Sequence, residues 1–171
     1  AFDSPQTISL SGVGQGGVAS LNVTSKAFAS QNIGTTSGVQ TITLTNTGGA
    51  VLNIFNIVAS GDFAQTTTCS ATLVQMTNCT IGVTFSPTAA GVRSGSVVIS
   101  SDAATSPTTI SLTGTGIPVP LVSLSSTAMI FGAQNLATTS AAQTVTLTNV
   151  GSANLNFGSI GASGDFAVTN N

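Results

Sequence analysis

Apolar and polar residues alternate with a period of two along much of this chain. Gln40, Ile42 and Leu44 alternate with Val39, Thr41, Thr43 and Thr45 ahead of the turn Asn46-Thr47-Gly48-Gly49. Cys79, Ile81, Val83 and Phe85 alternate with Thr80, Gly82 and Thr84, and Ser86-Pro87 ends that run. A period of two bounded by Gly, Pro and Asn marks a half-buried strand. The same signal predicts strands at residues 21–24, 27–30, 51–58, 63–66, 95–100 and 108–113. No window places apolar residues at i, i+3, i+4 and i+7 behind a capping residue, so almost no helix is expected. Short β-branched strands with turn signals about every ten residues predict an all-β chain folded as an antiparallel two-sheet sandwich.

The pattern also repeats itself. QTITLTNTGGAVLNI from Gln40 returns as QTVTLTNVGSANLNF from Gln143, and SGDFA from Ser60 returns from Ser163, an offset of 103. SPQTISLSGVG from Ser4 returns as SPTTISLTGTG from Ser106, an offset of 102. Self-similarity at a fixed period is the signature of a tandem array. The expected organisation is residues 1–14 as the last strand of a preceding repeat or a donor strand, 15–116 as one complete unit, and 117–171 as the first half of a following unit. The Gly14-Gln15-Gly16-Gly17 junction is flexible by composition, while Ile117-Pro118-Val119-Pro120 is stiff and extended. The repeat places the next cysteine at position 172, so the chain is expected to be a portion of something longer. Completion of the two partial units in cis and completion by strand exchange between chains both stay open.

Comparison of the two copies sorts core from surface. Leu44, Leu52, Ile54, Ile57 and Phe63 keep apolar counterparts at Leu147, Leu155, Phe157, Ile160 and Phe166, which suits positions facing a core. Phe55 corresponds to Gly158 and Val51 to Asn154. A core cannot exchange Phe for Gly without leaving a large cavity, so Phe55 is expected outside it, as an ordinary exposed apolar residue or as an interface with a neighbouring module or chain.

Charge narrows the function. Lys26 and Arg93 are the only basic residues, Asp3, Asp62, Asp102 and Asp165 the only acidic ones, and the net charge is −2. Two separated cations cannot displace counterions from a nucleic acid backbone, so no nucleic-acid partner is expected. No apolar run is long enough for a transmembrane helix, and no membrane span is expected. Without His or Glu, a Ser or Thr nucleophile lacks its usual activating base, and neither enzyme activity nor a cofactor is expected. Asp62 and Asp165 occupy equivalent positions in successive units and are expected to cap turns. Clustered acidic strings for calcium are missing, and a zinc site has too few ligands. The lack of Trp and Tyr weakens a sugar-binding platform. Two Asn-x-Thr acceptor patterns, at Asn22 and Asn78, are taken as coincidence. Cys69 and Cys79 lack Cys-x-x-Cys redox spacing; a disulfide closing a short loop is expected, contributing about 3 kcal/mol on the chain-entropy account and implying an oxidising compartment.

The strings TLTNTGGAVLNI, SGDFAQTTTCSATL, NCTIGVTFSPTAAGVRSGSVVISSD and SPTTISLTGTG together resemble the bacterial, secreted branch of the ASH family, named for abnormal-spindle and Hydin proteins and commonly labelled choice-of-anchor D domains. The Asn46 to Gly48 turn, the cysteine pair and the Phe85 to Gly91 segment carry most of the likeness. It implies tandem immunoglobulin-like antiparallel β-sandwiches, related to the major sperm protein domain, in large exported or surface proteins, and it carries over no catalytic or ligand residues. The expected role is a non-catalytic structural module of an extracellular or cell-surface bacterial protein, in a filament, stalk or sheath, partnered by its own repeats or other copies. The alternative is an adhesion module that binds a polysaccharide or protein ligand for a larger secreted protein.

Overall fold

A computed structural model describes residues 5–12 and 14–169. By contacts the chain divides into two units, Ala1–Gly116 and Ile117–Asn171. The first unit contains β1 (Ala19–Leu21), β2 (Ser25–Ala27), β3 (Gln31–Asn32), β4 (Gln40–Asn46), β5 (Leu52–Ala59), β6 (Phe63–Thr67), β7 (Thr72–Leu73), β8 (Asn78–Phe85), β9 (Gly91–Ser101) and β10 (Thr108–Ile117, whose last residue falls at the unit boundary). The second contains β11 (Val122–Leu124) and β12 (Leu147–Asn149). Among the described residues there is no helix.

Two sheets build the sandwich of the first unit. One runs β1-β4-β8-β6; the other runs β2-β10-β9-β5-β7, with β3 also on β10. Neighbouring strands are antiparallel, except that β2 lies parallel to β10 with Leu112 opposite Lys26. The strict alternation read from sequence is realised: Ile42, Leu44, Ile81, Val83 and Phe85 from one sheet meet Leu52, Val97, Ile99, Ile110 and Leu112 from the other in a single core. Inward residues of facing sheets interdigitate because each pleat presents every second side chain to the same side.

Two local expectations need correction. Residues 21–24 and 27–30 do not form the two strands predicted there; β1 ends at Leu21 and β2 begins at Ser25, so Asn22-Val23-Thr24 is the crossing between sheets. Asn22 fixes that crossing by accepting a 2.9 Å hydrogen bond from the Thr43 N–H. Strand β5 is not regular either. Its register shifts between Ile54 and Asn56, where Phe55 is the extra residue of a β-bulge. The inward side chains are therefore Leu52, Ile54 and Ile57, a step of two followed by a step of three.

Residues 5–12 form no strand, and they are exposed; residues 1–4 and 13 of the expected leading strand, and 170–171 of the trailing half-unit, lie outside the described residues.

In the second unit, the hydrogen bonds of the first recur 103 residues later. Asn149 accepts from the N–H groups of Leu121 and Gly151 and donates to the Ala153 carbonyl, as Asn46 does with Val18, Gly48 and Ala50. Ser125 accepts from Thr146 N–H as Asn22 does from Thr43. Gln143 donates to the Ile130 carbonyl as Gln40 does to Ala27. Phe131 and Phe166 lie 5.7 Å apart at 47°, close to the 5.4 Å and 49° of Phe28 and Phe63.

Candidate interaction surface

The sequence singled out Cys69, Cys79 and Phe55, and the fold places them apart in role. Cys79 is a buried position of β8, while Cys69 follows β6, its neighbour in the same sheet. The two are joined as a disulfide with an S–S distance of 2.02 Å. The bond pins the segment leaving β6 onto β8, where Thr68 also exchanges hydrogen bonds with Thr80. With ten residues separating the cysteines, reduction is expected to lower unfolding free energy by about 3 kcal/mol. Urea denaturation with and without a thiol reductant measures this; an unchanged midpoint would show that the denatured chain is not restrained by the link.

Phe55 stands 69% exposed on the bulge of β5. The bulge explains its direction: an inserted residue turns outward while the strand resumes its inward alternation at Ile57.

Asp62 is not a cap of its own turn, as expected from sequence. Its carboxylate reaches across to the segment between β8 and β9, accepting from the Thr88 hydroxyl at 2.9 Å and backbone N–H at 3.2 Å, and from Arg93 Nε at 2.5 Å. The turn itself is made by Gly61, whose φ of +71° is the left-handed conformation that glycine adopts without steric cost. The Arg93 hydrogen bond, aided by Thr88 and opposed by partial burial, holds the Asp62 carboxyl below the usual carboxylate range. Asp102 is likewise lowered, first by the Asn53 side chain and then by the Asn53 backbone N–H at 2.9 Å.

The sign of the resulting pH dependence follows from linkage. A carboxyl with a depressed folded-state pKa adds stability that is fully present above its unfolded value and disappears as pH falls through the folded value. With no His or Glu in the chain and both cysteines bonded, the side chains leave the melting temperature flat from about pH 5 to 9. It should fall below about pH 4, where unfolded Asp takes up protons. Thermal melts of Arg93→Ala should show a shallower acid decline; an identical decline would remove the ion pair as its source.

Among the described residues no three His, Cys, Asp or Glu side chains come together. The broadest apolar surface instead lies on the second unit. Its Leu147, Leu155, Phe157, Ile160 and Phe166 match residues that the first unit buries, yet Phe157 and Phe166 are 60% and 62% exposed. Leu147, Leu155 and Phe157, with Asn149, Asn154 and Asn156, line a concavity of about 420 Å³.

The fold and these surfaces define an immunoglobulin-like β-sandwich whose chemistry-bearing side chains are structural and whose largest open feature is an apolar face. No protein-family model matches the chain, and no curated protein sequence matches it. Among solved structures, a protein of unknown function from Porphyromonas gingivalis W83 is similar at 13% identity and a TM-score of 0.51, over 58% of this chain and 46% of that one. At that identity the likeness concerns the fold. The ASH/PapD-like domain 7 of human CEP192 aligns at 14% identity and TM-score 0.48, over 68% of this chain and 98% of that one. The secreted serine protease VesC from Vibrio cholerae aligns at 16% identity and TM-score 0.48, over 58% of this chain. The chain spans 23% of VesC and under half of the Porphyromonas protein.

Proposed function

We propose that this chain is a non-catalytic structural segment of an exported bacterial protein of the secreted ASH type, a tandem sandwich array serving as filament, stalk or sheath. The observation that carries the reading is the second unit, which repeats the Asn46, Asn22 and Gln40 hydrogen bonds of the first at an offset of 103 while leaving the matching core face open. A face of that composition is normally covered by further strands, and covering it joins one module's strands to another's. The disulfide supports an oxidising, extracellular location. The near absence of charge supports close packing of copies, since soluble sandwiches usually guard their sheet edges with Lys or inward charges. Electron microscopy of the native material tests this: continuous fibres or sheaths are expected, and isolated modules at high protein concentration would overturn it.

The exposed Phe55 favours a second reading, an adhesion module gripping a polysaccharide or protein. Phe55→Ala is expected to shift stability by no more than about 0.5 kcal/mol, as for other surface substitutions, while leaving fibres intact. Loss of fibres, or loss of binding on a glycan array, would transfer the functional role to that side chain.

A further inference from the structure

We propose that the open half-sandwich of the second unit accepts residues 7–12 of a second copy as a parallel strand, so that copies join head to tail. This rests on the structural reading above and names its partner.

The two halves of the joint are both present in one chain. Residues 5–12 read PQTISLSG, against PTTISLTG in β10 and the residue before it, from Pro107 to Gly114. In β10, Ile110 and Leu112 are essentially fully buried in the core. Their counterparts Ile8 and Leu10 are 81% and 93% exposed, in a segment with no strand partner. An alternating apolar strand exposed on both edges is what a sheet edge recruits.

The acceptor follows from β2, the strand that β10 pairs with in parallel. There Ser111, Leu112 and Thr113 lie opposite Ser25, Lys26 and Ala27. Two hydrogen bonds flank that pairing: Phe28 N–H donates to the Thr113 carbonyl at 2.8 Å, and Ser111 N–H donates to the Thr24 carbonyl at 3.0 Å. In the second unit the counterparts of Phe28 and Thr24 are Phe131 and Thr127. Neither the Phe131 N–H nor the Thr127 carbonyl has a hydrogen-bond partner among the described residues, and residues 127–131 form no strand. Backbone groups in a segment that its own repeat pairs are the natural recipients of the missing strand.

Superimposing the register sets Ser9 opposite Ala128, Leu10 opposite Met129 and Ser11 opposite Ile130. Phe131 N–H then donates to the Ser11 carbonyl, and Ser9 N–H to the Thr127 carbonyl. Ile8 and Leu10 turn toward Phe131 and Phe166, the counterparts of Phe28 and Phe63 in the core that receives Ile110 and Leu112. Donor and acceptor are different surfaces, so each added copy presents a fresh pair, and the contact propagates instead of closing on itself.

The test uses the whole chain carrying Ser9→Cys and Ala128→Cys, whose counterparts Ser111 and Ser25 both face outward. Mild oxidation should give a ladder of covalent oligomers on a non-reducing denaturing gel, and the out-of-register pair Ser9→Cys with Ser163→Cys should not. Adding Leu10→Asp to the in-register pair should reduce cross-linked species at least roughly tenfold, by removing an apolar anchor, without moving the melting transition, because Leu10 is exposed in the single chain. Cross-links confined within one chain, or a ladder no stronger than the out-of-register control, would overturn the strand joint. If fibres persist by microscopy without the ladder, the structural role stands and this joint falls; if neither is seen, both fall.

Discussion

Asn46→Ala is expected to lower the melting temperature of the first unit by roughly 12–25 °C. Asn46 sits at the end of β4, fully buried, and its amide is shared among four backbone groups. Oδ1 accepts from Val18 N–H at 3.1 Å and Gly48 N–H at 3.0 Å. Nδ2 donates to the Ala50 carbonyl at 2.8 Å and the Leu73 carbonyl at 2.9 Å. One side chain therefore ties the chain entering β1, the turn after β4 and the short strand β7 to a single point. Alanine leaves those four groups without that partner in a dry place, and unsatisfied buried backbone groups cost about 1–3 kcal/mol each before relaxation or entering water offsets part of it. A net loss of about 3 kcal/mol corresponds to the stated shift for a domain of this size. Asn46→Asp separates the two halves of the role. It keeps the acceptor, loses both donated bonds, and sets a carboxylate against two carbonyl oxygens. That variant should be about as unstable as the alanine form at neutral pH and should partly recover below about pH 5, because burial beside acceptors raises a carboxyl's pKa and its protonated form can donate. Circular dichroism melts across pH decide both points; a shift under about 5 °C for Asn46→Ala would mean that water replaces the amide.

Phe85→Ala should be of comparable size, about 3–5 kcal/mol in urea denaturation. Phe85 closes β8, is wholly buried, and stacks on Phe63 at 4.9 Å between ring centroids, with Phe28 at 6.0 Å. Gly114 on β10 makes room for it, since a Cβ there would lie 2.5 Å from the Phe85 ring. The facing sheet cannot fill the void left by alanine without moving β10, so most of the lost contact stays lost. Phe85→Leu, which restores much of the volume but not the stacked ring, should recover more than half of the loss. Equal instability of the two variants would place the effect in the ring interaction and not in volume.

These two residues also mark how far the sequence could be read. Phe85 was legible: it ends a strictly alternating run before Ser-Pro, and inward alternation is a local property of a pleated strand. Asn46 was legible as a turn residue beside Gly48, and Asn149 repeats it, but nothing along the chain says that its side chain is buried or that Leu73, far away in sequence, supplies one of its acceptors. The same limit applies to Asp62. Its place before a core Phe suggested a local cap, whereas its partners Thr88 and Arg93 reach it only because the turn before β6 and the segment between β8 and β9 meet in the fold.

Phe55 lies between these cases. Its exchange for Gly158 in the repeat pointed outward correctly, but the bulge behind it did not emerge from a search for period two. A usable signal was present, the spacing of Leu52, Ile54 and Ile57, repeated at Leu155, Phe157 and Ile160. The edges of β1 and β2 were misplaced for a related reason. Val23 continues an apolar pattern across Asn22 and Thr24, and only the change of sheet breaks the strand there.

By itself the sequence determined the all-β class, the positions of the central strands, most of the core, the cysteine pair and the repeat, because alternation and self-similarity are written into consecutive residues. Tertiary structure alone decided which distant backbone groups Asn46 satisfies, what Asp62 binds, that β2 runs parallel to β10, and that the second unit keeps the bonds of the first while its core face stays open. Those are relations between segments far apart in the chain, fixed by which sheets pack together, and no local pattern encodes them.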